Sequence, residues 1–526
     1  MVFSFGKNIC GGKEVKFMVF SIKSKTDEFW WGGAVSEGIA MPFGGVDYEL
    51  DCTVNRTSNQ FNALFVSNRG RYIYVDGGCI VKSDETSVSI FEPAGEVDFA
   101  EGFGDLRGAY RAAAKKHFFP SENTVPECTV LMPQYNSWVE MLRSIDQEKV
   151  LDYAEGIIGK KMPAGILILD DGWMTGYGEW TFHPSKFPAP EKMMKRLHEL
   201  GFKVILWICP FVDKSIPSFS RLAEEGLLLR RPDGSVAERT WWNGESALLD
   251  MTNPKTRLWL KERLELLMKN YGVDGFKFDA GDPVYYSEDD VTFAPVSPNG
   301  QSKLWAEFAA EYEYAELRAC VGMGGYPIIQ RLSDKNSCWG NNGIASLIPN
   351  MIQAGLLGYP YCCPDMVGGG QEAEFGDGKT HDDELMARSC ECAAFMPMIQ
   401  FSYAIWERCS NPLIRKIARD SALLRLNYRD YFRNILSDCV ATKDPMMRNM
   451  EYEFPGQGME KIKDQFMLGG DLLVAPVLEK GATTRDVVLP RGCRWKYVPT
   501  GEIYEGGDKI TVDAPLEVLP YFEKSK

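Results

Sequence analysis

Eight short, mostly apolar runs, several of them separated by helical stretches, recur through the middle of the chain, and this alternation restricts the fold more than any other feature. The runs are CTVLMPQYNSW, GILILDDGW, KVILWICPF, DGFKFDAGD, ELRACVGM, SCWGNN, GYPYCCPDM and FMPMIQFS, with APEKMMKRLHELG and PKTRLWLKERLELLMKNYG among the intervening sequences. Such a pattern predicts an α/β architecture, a (β/α)8 barrel over residues 116–430, with a doubly wound parallel sheet as the alternative. Ahead of it, KEVKFMVFSIK, YELDCTV, NALFVSN, RYIYVDGGCIVK and VSIFEP alternate in polarity and end at turn residues, which predicts an N-terminal β-sandwich over 1–115. Strands are expected to return from about Ser437, in DLLVAPVLEKG, TRDVVLP, RWKYVP and DKITVDAP, as a C-terminal β domain over 431–526. Several cores are needed in any case, because one core stops growing at roughly 250–300 residues and the chain has 526.

Charge narrows the partners. Lys and Arg number 58 against 73 Asp and Glu, a formal net charge of 58 − 73 = −15. That balance disfavours nucleic acid and anionic membrane, which need a cationic surface, and leaves a neutral or cationic ligand. A homo-oligomer stays open. The 14 cysteines are scattered without a CxxC, the closest being Cys362–Cys363 and Cys390/Cys392, and read as reduced thiols. No basic segment followed by an apolar stretch opens the chain, and no run reaches the ~18 apolar residues of a membrane span, so the expected address is cytoplasmic. The four histidines, His117, His183, His198 and His381, include no i,i+4 pair, so neither a metal nor another cofactor is expected. HDDE at 381–384 reads as a helix start rather than a metal site.

In a barrel the chemistry sits where strands end at one face, and several runs end in acids. GILILDDGW closes in Asp170 and Asp171, DGFKFDAGD in Asp279 and Asp282, and GYPYCCPDM in Asp365, while Asp334 stands just before SCWGNN. One such acid could simply cap a helix; four strand ends together suggest a site. Trp173, Trp207, Trp241, Trp242, Trp339 and Trp406 accompany them, and an indole face beside carboxylates suits a sugar ring as well as it suits core packing.

The runs GFKFDAGD, RACVGMGGYPIIQRLSDKNSCWG, GLLGYPYCCPDMVGGG, FMPMIQFS and DQFMLGGDLLVAPVLEKGATTRDVVLPRGCRW, in that order over about 165–500, resemble glycoside hydrolase family 31, the retaining α-glycosidases. The resemblance implies Asp279 as nucleophile and Asp334 as general acid/base, with Arg318, sixteen residues before it, binding sugar hydroxyls. Asp365 and Asp171 are implied as ring-binding groups, and Trp173, Trp207 and Trp339 join them as candidate binding residues. A retaining mechanism needs one ionised carboxylate against the anomeric carbon and a second carboxyl that protonates the leaving oxygen. Lys277 beside Asp279 favours the ionised role there, while Asp334 needs a drier or more anionic setting.

Two departures bear on the sugar. Ser402 stands where the family's α-glucosidases carry a histidine in FYPFSRNH, and KFDAGD replaces WxDMNE. A lysine two residues before the nucleophile, together with DDGW, is similar to clan-related α-galactosidases, which implies that Asp170, Asp171 and Lys277 bind an axial 4-hydroxyl and its neighbours. An exo-acting α-galactosidase is therefore expected ahead of an α-glucosidase. KFDAG and PDMVGG also resemble the branch that contains the myogenesis-regulating glycosidase. The turn WWGGAVSEG is expected to lean over the barrel mouth, and GGG at 368–370 to form the loop after the seventh strand. The rivals from other classes are a Schiff-base aldolase using Lys277 and a sugar-binding pseudoenzyme.

Overall fold

The computed structural model of the protein describes residues 2–10, 13–375, 379 and 381–525, with side chains from Phe20 onward. At its centre eight parallel strands form a barrel: β1 (Gln134–Asn136), β2 (Ile166–Leu169), β3 (Lys203–Ile208), β4 (Gly275–Phe278), β5 (Tyr314–Leu317), β6 (Ile329–Arg331), β7 (Cys362–Cys363) and β8 (Gln400–Phe401). From β1 to β7 each strand pairs with its sequence neighbour, β8 pairs with β1, and a parallel bridge between Met366 and Gln400 nearly closes the ring between β7 and β8. Buried on both faces, β2 and β4 can be apolar throughout or nearly so, which is why ILIL and GFKF lack a polar alternation. The helices between strands carry ordinary stop signals. In Pro254–Tyr271 the Asn253 side chain accepts from the Lys255 N–H, proline occupies the first turn, and Gly272 ends the helix at φ 72° with its N–H on the Met268 carbonyl.

One run is misplaced by the sequence reading. The sixth strand is Ile329–Arg331, and SCWGNN forms a turn in the following loop, closed by the Ile344 N–H on the Cys338 carbonyl. The reason is physical: two of its three residues, Gln330 and Arg331, are polar yet buried, with Gln330 Oε1 facing Cys320 Sγ and Arg331 Nη1 donating to Asp334 and Asp365, so this strand carries no apolar signature.

Residues 2–101 form a five-stranded and a four-stranded antiparallel sheet that pack face to face, with the rings of Phe20 and Phe99 meeting at 5.6 Å across them. Beyond the barrel the helix Arg429–Ala441 continues past Ser437, because Phe432, Ile435, Leu436 and Cys439 repeat at helical spacing on its buried side. Strands resume only at Met447 and build a six-stranded and a two-stranded sheet. The boundaries expected at 115/116 and 430/431 each fall inside a helix, Leu106–His117 and Arg429–Ala441.

Candidate active site

The carboxyl ends of the barrel strands surround a pocket of about 390 Å³ lined by, among others, Asp170, Asp171, Trp207, Lys277, Asp279, Arg318, Arg331 and Asp334. Asp279 follows β4 directly, and both of its oxygens are engaged. Oδ1 accepts from Arg318 Nε at 2.9 Å and from the Ala280 N–H at 2.8 Å; Oδ2 accepts from Trp207 Nε1 at 2.9 Å and lies 3.9 Å from Lys277 Nζ. Burial opposes charge on this carboxyl, but Arg318, Lys277 and Arg331 together with the indole N–H outweigh it and hold it well below the usual carboxylate range. Arg318 stays in place because Asp282 grips it bidentately, at 2.9 and 2.6 Å.

Asp334 sits three residues beyond β6 in a different setting. Its side chain is 31 % exposed against 9 % for Asp279, and among the described residues its one side-chain ion pair is with Arg331, at 2.8 Å. The loop after β7 passes close beside it: a Cβ on Gly370 would stand 3.0 Å from Asp334 Oδ1, so only glycine leaves this carboxyl unobstructed. A carboxylate fixed and held ionised and a more exposed carboxyl thus border the same cavity.

Around this pair the polar groups interlock. Lys277 Nζ donates to Asp170 at 2.6 Å; burial disfavours the ammonium, but Asp170, with Asp279 and Glu316, holds it above the ordinary lysine value. Asp171 accepts from Arg143 at 2.9 Å, Asn243 at 3.1 Å and Tyr177 at 3.0 Å, and burial raises its carboxyl. Asn243 and the half-exposed Trp242 form the two-residue tip of a hairpin between Glu238–Trp241 and Gly244–Leu248, and the Arg318 guanidinium lies 5.7 Å from the Trp242 ring. Asn-Gly in WWNGE is the signal that could have located this tip.

Four expected site residues stand outside the lining. Trp173 is buried and donates to the Trp207 carbonyl at 2.8 Å, so it backs the pocket wall rather than facing the cavity. Trp339 donates to Asp382, which caps the helix Asp383–Ala393, and opens on a separate cavity bordered by Lys463 and Arg485. Ser402 Oγ accepts from the Val139 N–H at 2.7 Å and ties β8 to the segment after β1. Asp365, at φ 83°, points to Arg331 at 2.6 Å and to the Lys335 N–H at 2.7 Å. A non-glycine residue in that region costs about 1–3 kcal/mol, so the surroundings enforce this orientation. Among the described residues no cluster of three metal-ligating side chains occurs.

The expected rim loop is also elsewhere. Residues 32–38 pack on the helix Leu347–Leu356, with Gln353 donating to the Gly32 carbonyl at 2.6 Å, and none of them lines the pocket. The N-terminal contribution comes instead from residues 58–60. The Ser58 carbonyl accepts from Arg318 Nη1 at 2.8 Å, Asn59 exchanges hydrogen bonds with Ser333, and the buried Gln60 amide donates to the carbonyls of both Arg318 and Arg331, at 2.7 and 2.8 Å. Gln60→Leu leaves both carbonyls unpaired and is expected to destabilise the protein by about 1–3 kcal/mol, read as a lower urea midpoint at unchanged slope.

Residues 129–432 match the glycosyl hydrolases family 31 TIM-barrel domain, and residues 443–525 match the glycosyl hydrolase family 31 C-terminal domain. The chain is 35% identical over 420 residues to the myogenesis-regulating glycosidase of Mus musculus, covering 77% of this chain and 58% of that protein. To alpha-glucosidase 2 of Bacillus thermoamyloliquefaciens it is 27% identical over 410 residues, 72% of this chain and 50% of the relative. It thus spans little more than half the length of these relatives. In fold it superposes on the GH31 dextranase of Flavobacterium johnsoniae complexed with glucose at a TM-score of 0.85 and 22% identity, over 99% of this chain and 67% of the other. With both of its domain models matched in order across the barrel and the sheets that follow it, the chain belongs to glycosyl hydrolase family 31.

Proposed function

We infer that the protein is a retaining, exo-acting α-glycoside hydrolase that releases a terminal α-linked hexose by double displacement. Asp279 attacks the anomeric carbon, and Asp334 protonates the departing oxygen and then activates water. The observation that carries the reading is the Asp279 carboxylate, fixed through both oxygens by Arg318, Trp207 and a backbone N–H and held ionised at the pocket wall. Arg318 supports this role from the side, its charge shared between Asp279 and Asp282.

For the sugar, α-galactoside is favoured. The buried Asp170–Lys277 pair borders the same cavity as Asp279 and offers an acceptor and a charged donor side by side for neighbouring ring hydroxyls. An α-glucoside is the second reading, supported by the similarity to alpha-glucosidase 2 of Bacillus thermoamyloliquefaciens. A panel of aryl α-galactoside, α-glucoside, α-xyloside and N-acetyl-α-galactosaminide decides between them. The galactoside is expected to give the highest kcat/KM, and a clear glucoside preference overturns the sugar without touching the carboxylate roles. The aldolase rival loses ground on Lys277 itself, since a Schiff-base nucleophile must be a neutral amine and the carboxylates around Lys277 favour the ammonium.

A further inference from the structure

Behind Asp334 lies an arrangement that the reaction scheme above does not use. A single nitrogen of the buried Arg331, Nη1, donates to Asp334 Oδ1 at 2.8 Å and to Asp365 Oδ1 at 2.6 Å, while Nε lies 3.6 Å from Glu316 Oε1. Asp365 and Glu316 are fully enclosed in the barrel, whereas Asp334 reaches the pocket. One cation therefore faces three carboxyl groups, and two of them share one of its hydrogen-bond donors. The remaining charges nearby are Lys277 and Asp279 on and after β4, Arg318 at the end of β5, Lys335 next to Asp334, and Glu372 on the loop after β7.

We propose that Arg331 and Asp365 are positioning residues that set the proton on Asp334, with Asp365 and Glu316 absorbing the charge of Arg331 from behind. Were Arg331 free to pair with Asp334 alone, its full charge would favour the carboxylate and strip the general acid of its proton. Competition from Asp365 for the same N–H weakens that pull; burial pushes the Asp365 carboxyl up to about 7, and in its ionised form it also favours a protonated neighbour. After the proton has gone to the leaving oxygen, the same guanidinium is in place to receive the Asp334 carboxylate that then acts as base. Asp365 thus works from outside the cavity, through Arg331, and the left-handed backbone at φ 83° aims it there. This inference rests on the assignment of Asp334 as acid/base.

The test is the pH dependence of kcat/KM on the phenyl α-glycoside of the preferred sugar, for the intact protein and for Asp365→Asn and Arg331→Gln. Asp365→Asn is expected to move the alkaline limb to lower pH by about one unit, and Arg331→Gln to move it to higher pH by a similar amount. Arg331→Lys, which keeps the charge, is expected to fall back toward the parent. Glu316→Gln, which relieves Arg331 of another anion, should shift the limb in the same direction as Asp365→Asn and stands in for it if that variant fails to fold. A purely structural role would lower the rate without moving the limb in opposite directions, so shifts of the same sign, or none, overturn the proposal. A second readout needs no turnover: the Asp334 carboxyl is followed through a pH titration by ¹³C NMR, its resonance assigned by its loss in Asp334→Asn. Opposite displacements of that titration in the two variants support the inference even if no glycoside in the panel is cleaved, whereas lack of turnover alone would count against the proposed function.

Discussion

Replacing Asp279 by alanine is expected to lower kcat/KM on a dinitrophenyl α-glycoside on the order of 10⁴-fold or more, the scale seen when the attacking group of a covalent mechanism is removed. The fold survives because the neighbouring cations keep other partners. Arg318 retains its bidentate contact with Asp282, and Lys277 retains Asp170 at 2.6 Å. The Trp207 indole N–H, the Ala280 N–H and Arg318 Nε lose their acceptor, at about 1–3 kcal/mol for each donor that water does not reach, a cost that a urea titration can read. Azide gives the sharper measurement, since a small anion fits the space vacated by the carboxylate and attacks the anomeric carbon from the same side. The expected product is a glycosyl azide of inverted configuration, whereas the intact enzyme returns sugar of retained configuration. Turnover of Asp279→Ala at the parent rate would remove the nucleophile assignment.

Asp334→Ala is expected to separate substrates by leaving group. On a phenyl α-glycoside, whose departure needs a proton, kcat/KM is expected to fall by about 10²–10⁴-fold; on the dinitrophenyl glycoside it stays within roughly tenfold of the parent. Because kcat/KM reports the first displacement, this comparison isolates the acid role from the later base role. Stability changes little, since Asp334 is partly exposed and Arg331 keeps Asp365 and Glu316. Equal losses on both substrates would show that Asp334 acts in some other way.

Much of the architecture was readable from residues alone because parallel strands buried on both faces write themselves as apolar runs, as ILIL and KVILWI do. The sixth strand was not, since Ile329–Arg331 is three residues long and two of them are buried polar groups whose partners, such as Cys320, Glu316 and Asp365, come from other parts of the barrel. Acids at strand ends pointed to Asp170, Asp279 and Asp334, all of which border the cavity. Trp173, Ser402 and Asp365 looked equivalent in sequence, yet each turns toward a neighbour that only the closed barrel supplies: a carbonyl of β3, an N–H after β1, and the guanidinium of Arg331. Ser58 and Gln60 left no local trace of their place, because their partners lie 258 to 271 positions away. Arg331 had a nearer clue, standing three residues before Asp334, but nothing in QRLSD separates a buried arginine from a solvated one.

The reach of residues 58–60 has a consequence for biogenesis. During synthesis this short loop emerges long before the strands it clasps, so the pocket is assembled late from segments made far apart in time. An isolated barrel would leave Arg318 and Arg331 with bare carbonyls, and a nascent chain halted before β5 would expose the N-terminal clasp with nothing to hold. Slow maturation after release, governed by that distant closure rather than by the helices, is the behaviour such connectivity imposes.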